Sequence, residues 1–88
     1  MTAIGEVGLR VAENIRDLRR IHRISYRGLA DRLAIEGRPL VATAVLKIER
    51  GERRVDVDDL VALSRAFQVE PADLLLGRPV AHTEVNWR

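Results

Sequence analysis

Apolar residues recur along the chain at intervals of three and four, the spacing of helices that each present one face to a core. Val11, Ile15, Leu18 and then Ile21 or His22 predict an amphipathic helix over Leu9 to His22. A second helix is expected to start at Ser25, whose hydroxyl can accept from an early backbone N–H, and to carry Leu29, Ala30 and Leu33 on its core face. Gly37 and Pro39 then break the chain: glycine tolerates a left-handed helix end, and Pro39 pushes Arg38 out of the helical region while suiting the first turn of a new helix. That third helix should run from about Leu40 to Arg50, with Val41, Ala44, Val45 and Ile48 in register, and stop at Gly51. Asp56 reads as the N-cap of a fourth helix reaching Phe67, with Asp58 and Asp59 in the favourable first turn and Leu60, Leu63, Ala66 and Phe67 inward. Pro71 opens a last short helix ending at Gly77, in which Leu74, Leu75 and Leu76 cannot all face one core, leaving one for a dimer contact.

The outline is an all-α domain of five helices over residues 9–77, preceded by a loose lead-in (1–8) and followed by a tail (78–88) without helical period. Trp87 implies either that the natural chain continues or that the tail docks on the domain or on a second copy. A chain of 88 residues holds one domain at most. Its apolar content is Leu, Val, Ala and Ile with only Tyr26, Phe67 and Trp87 as aromatics, which favours helix-on-helix packing. Cysteine is absent, so neither disulfides nor thiolate metal sites are available. No apolar run approaches the roughly 18 residues of a membrane span, and the N-terminus lacks the apolar centre of a signal peptide. A soluble, cytoplasmic protein is expected.

Net charge is only +2, but its layout changes the picture. Six arginines face two acids between Arg10 and Arg27, whereas five acids face one arginine between Val55 and Gly77. One basic and one acidic side let a module approach phosphates in a single orientation, although arginines on exposed helices can equally be mere solvation. Catalytic chemistry has little to stand on: His22 and His82 lack a ligand pattern, Ser25 and Ser64 lack a base partner, and no glycine-rich phosphate loop occurs. The reading is therefore no enzyme, no cofactor and no metal.

The stretch Ser25 to Arg54 is two short helices joined by a glycine-containing turn, the helix-turn-helix pattern. Its end, LKIERGERR, together with ISYRGLADRL upstream, resembles the lambda-repressor-like Cro/C1 family, also called the XRE family of bacterial regulators, over about Leu9 to Gly77. The long turn and VDVDDLVALSRAFQV look most like its actinobacterial members. The resemblance implies a double-stranded DNA-binding transcriptional regulator, a repressor acting as a homodimer at the nucleoid, with residues 40–50 in the major groove. It places Val41, Ala42, Thr43, Leu46 and Lys47 toward the bases, and Arg50 on the backbone. Only Thr43 and Lys47 of these can hydrogen-bond base edges, Lys47 most naturally guanine. It also implies that Arg53 and Arg54 follow the sugar-phosphate backbone, that Tyr26 stands where the family has a phosphate-binding Gln, and that Arg19 pairs with Glu49 as a structural clamp. Arg27 in the same first turn and Arg38 beside the third helix are further phosphate candidates. Two features depart from the family: the turn Ala34 to Pro39 is several residues longer, and the third helix is unusually apolar. The second leaves an alternative, a protein-interaction module that turns the same helix face toward a partner protein.

Overall fold

The apolar stripes converge on one core in a computed structural model that describes residues 4–76. Five helices follow in order: α1 (Glu6–Ile21), α2 (Tyr26–Ile35), α3 (Ala42–Glu49), α4 (Val57–Phe67) and α5 (Pro71–Leu75). No strand occurs among the described residues. Ile15 and Leu18 of α1, Leu29 and Leu33 of α2, Val45 and Ile48 of α3, Leu63 and Phe67 of α4 and Leu74 of α5 are all buried together. Helix α1 packs on α5 and α3, α2 on α3 and α4, and α4 on α5.

Helix starts follow local chemistry. Ser25 Oγ accepts from Gly28 N at 2.9 Å, and Asp56 Oδ1 accepts from Asp59 N at 2.7 Å while Asp59 Oδ2 accepts from Asp56 N at 3.1 Å, a reciprocal cap. Two starts differ from the expected ones. Helix α1 begins at Glu6, three residues before Leu9, with Gly5 as its cap and Glu6 favourably placed in the first turn. Helix α3 begins at Ala42 rather than Leu40, because Val41 is extended (φ −77°, ψ 160°), and Pro39 lies in the connection instead of the first turn. Helix α5 starts at Pro71 and ends at Leu75. Gly77, the tail, His82 and Trp87 lie outside the described residues.

The first four helices stop in the same way. Arg23, Gly37, Gly51 and Gln68 take left-handed φ of 57°, 85°, 74° and 61°, and the next amide reaches back to the last turn: Ile24 N to Arg19 O, Arg38 N to Leu33 O, Glu52 N to Lys47 O, and Val69 N to Ser64 O, at 2.8–3.0 Å. Such ends satisfy carbonyls that would otherwise be left over. Two of the four residues are glycine, to which this conformation is free. Gly28, unaccounted for by the pattern, has a steric reason: a Cβ there would meet Ile24 Cγ2 at 2.8 Å.

The chain ends of the domain are tied by a polar contact inside the core. Asn14, 2% exposed, donates from Nδ2 to the Leu74 carbonyl (2.9 Å) and to the Leu76 carbonyl (2.8 Å), so two carbonyls at the end of α5 are satisfied by α1. Of the three consecutive leucines only Leu74 is buried; Leu75 and Leu76 are exposed.

Candidate nucleic-acid interface

Helix α3 divides cleanly into two faces. Val45, Ile48 and Glu49 are buried, while Thr43, Lys47 and Arg50, spaced by four and three, form an exposed stripe. Val41 stands exposed at the start of the helix, and Ala42 and Leu46 lie half-buried between the faces. All five residues expected toward bases thus belong to one region, with Val41, Thr43 and Lys47 outermost.

The buried face carries one charged group, Glu49, and its partner fixes the helix to the body. Arg19 donates from Nε to Glu49 Oε2 (2.6 Å) and from Nη2 to Oε1 (3.1 Å), and from Nη1 to the Ile24 carbonyl (3.1 Å). The bidentate hydrogen bond to Glu49 raises the Arg19 pKa above its ordinary value, against the opposing effect of burial. The guanidinium carbon also sits 4.1 Å from the Tyr26 ring centroid. Tyr26, expected on a phosphate, is half-buried and packs against the core as the platform under this cation.

Of the remaining cations expected on phosphates, Arg27, Arg50 and Arg54 are exposed. Arg27 lines an open groove of about 350 Å³ between α2 and residues 39–42, together with Asp31 and apolar side chains. Arg38 and Arg53, also expected on phosphates, are each held by carboxylates and remain partly exposed. Arg38 donates from Nε to Asp59 Oδ1 (2.8 Å) and from Nη2 to Asp56 Oδ2 (2.9 Å), and Arg53 donates from Nη1 to Asp59 Oδ2 (3.0 Å). Asp59 is 1% exposed. Burial pushes its carboxyl up, but the hydrogen bonds from Arg38, the Asp56 amide and Arg53, with the charge of Arg53, outweigh this and hold it below the usual carboxylate range. The hydrogen bond to Asp59 in turn raises the Arg38 pKa. Its place in the first turn of α4 accounts for Asp59 locally and does not reveal its partners Arg38 and Arg53.

Neither a protein-family profile nor a curated protein matches the chain, but solved structures superpose on it. The P22 c2 repressor, solved in complex with a synthetic operator, is 29% identical with a TM-score of 0.66 over 77% of this chain and 96% of its own. The restriction-modification controller C.AhdI from Aeromonas hydrophila is 27% identical with a TM-score of 0.67 over 76% of this chain and 94% of its own. The chain has the lambda-repressor-like helix-turn-helix fold of Cro/C1-type regulators. The fold of this Cro/C1-type domain is also that of the clp gene regulator ClgR from C. glutamicum, at 18% identity, a TM-score of 0.71 and coverage of 97% and 100%. These proteins are named as a controller, a repressor and a regulator, none as an enzyme. Among the described residues of the Cro/C1-type domain, no cluster of three or more His, Cys, Asp or Glu is arranged to hold a metal ion, and no helix is long and apolar enough to cross a membrane.

Proposed function

We propose that the chain is a sequence-specific double-stranded DNA-binding regulator, a repressor acting in the cytoplasm as a homodimer, with α3 laid in the major groove. The observation that carries this reading is the exposed stripe Thr43, Lys47, Arg50 on a helix whose opposite face is locked into the core. Thr43 and Lys47 supply the donors for base edges, Val41, Ala42 and Leu46 the apolar surface for thymine methyl groups, and Arg27, Arg50 and Arg54 the charge for phosphates on either side. A dimer would set two such helices about 34 Å apart, one helical turn of the duplex. The P22 c2 repressor, seen with operator DNA, supports the placement.

Selection of bound duplexes from a random pool tests the reading, and an inverted repeat is the expected product. Lys47→Ala should then relax preference at one base position, whereas Arg54→Ala should weaken all duplexes alike and flatten the salt dependence by about one unit of log–log slope. A pool that stays random would refute the reading and turn attention to the α3 face as a protein-binding surface.

A further inference from the structure

The segment 38–53 begins and ends on one carboxylate. Arg38, three residues before the cap of α3, holds Asp59 Oδ1, and Arg53, three residues after Arg50, holds Asp59 Oδ2. Asp59 itself cannot swing away: its Oδ2 accepts from the Asp56 amide, its own amide donates to Asp56 Oδ1, and Asp56 takes the second arm of Arg38. The long turn before α3 is therefore tied to the first turn of α4, and so is the loop after α3. Both arginine side chains keep about a third of their surface open, 34% for Arg38 and 32% for Arg53. A cation already held in place by a buried acceptor loses little further freedom when its open edge meets a second anion.

We propose that Asp59 is a positioning residue for DNA recognition: it brackets both ends of α3 and aims the open edges of Arg38 and Arg53 at the phosphates on either side of the groove that α3 occupies. This inference rests on the DNA-binding reading and adds to it a residue that touches no DNA. Its second effect is on selectivity. Two arginines neutralised by Asp56 and Asp59 attract random duplex less than two loose ones, while on the matching duplex their fixed positions retain the contact. Asp59 thus raises the ratio of specific to non-specific affinity rather than affinity as such.

The probes are the duplex enriched from the random pool on the 88-residue chain and a scrambled duplex of the same length. Asp59→Asn retains an acceptor for the Asp56 amide and removes the charge. It should lower the specific-to-scrambled affinity ratio about tenfold, within the range of coupling between neighbouring groups, and steepen the salt dependence on the scrambled duplex. Should Asp59→Asn fail to fold, Arg38→Gln releases one end of the bracket and leaves Arg53 on Asp59, and the same drop in ratio is expected. If Arg38 were only a phosphate ligand, Arg38→Gln would weaken both duplexes equally and leave the ratio unchanged. An unchanged ratio in the variants, with the wild type still enriching its repeat, overturns the bracket alone. A wild type that enriches no duplex overturns the function and the bracket together.

Discussion

Replacing Arg19 by Met is the sharpest probe of how α3 is held. The Glu49 side chain is 2% exposed and that of Arg19 16% exposed, so the substitution strands a carboxylate where water scarcely reaches. Breaking one side of a buried pair costs about 3 to 5 kcal/mol. The partial exposure of Arg19 places this case near 3 kcal/mol, and loss of the Tyr26 stacking contact adds about 0.5 to 1 kcal/mol. A domain of this size has roughly 4 to 11 kcal/mol of stability in all, so Arg19→Met should lower Tm by well over 10 °C, at about 4 to 8 °C per kcal/mol. The double replacement Arg19→Met with Glu49→Met removes both charges and should recover most of the loss, because apolar side chains of similar volume can fill the site. Urea unfolding of the wild type, both single variants and the double variant, with unchanged m-values, gives the coupling directly. If Arg19→Met costs less than about 1 kcal/mol, as an exposed pair would, the clamp is not what fixes α3.

Three further outcomes are expected. Gln68→Gly, at φ 61°, should stabilise by about 0.5 to 1 kcal/mol after the added freedom of the unfolded chain is counted, whereas Gly51→Ala, at φ 74° with Leu9 Cδ2 3.0 Å from the new Cβ, should destabilise by about 1 to 2 kcal/mol; thermal melts decide both. The Asp59 carboxyl titrates lower when folded than when unfolded, so its stabilisation is complete above the unfolded value of about 3.9 and is lost as pH falls through the folded one. Asp59→Asn should flatten that part of the stability profile, read as urea midpoints from pH 7 down to about 2.5. Asn14→Leu leaves the Leu74 and Leu76 carbonyls without their donor and should cost about 2 kcal/mol, with hydrogen exchange rising first at the amides of α5.

Local chemistry was legible in the sequence wherever one residue type answers one backbone need. Ser25 and Asp56 as caps and Gly37 and Gly51 as left-handed ends stand where the residue pattern puts them. The start of α3 is not fixed by the residue pattern, because Pro39 fits a first turn equally well and the chain instead stays extended through Val41. Leu9 looked like the start of α1 because Gly5 and Gly8 discourage a helix, yet Gly5 serves as its cap. Of the interface, the exposed stripe of α3 follows from helical periodicity, and the pairing of Arg19 with Glu49 came from family likeness rather than from spacing. The contact of Asp59 with Arg38 spans all of α3 and that with Arg53 the loop before α4, so no helix-periodicity or capping rule exposes them. Asn14 left a trace that could have been used: it lies on the same stripe as Val11, Ile15 and Leu18, where an amide must find buried acceptors.

The contact between α1 and the end of α5 also has a topological consequence. With Asn14 on the Leu76 carbonyl and Arg10 Nη1 3.4 Å from the Leu75 carbonyl, the end of α5 lies beside the first half of α1, and a flexible link running back along the first turns of that helix could join the two limits of the described segment into a ring. Opening that ring at the exposed Glu36–Gly37 peptide would yield a permuted chain with every helix intact, in which α3, α4 and α5 precede α1 and α2 in order of synthesis.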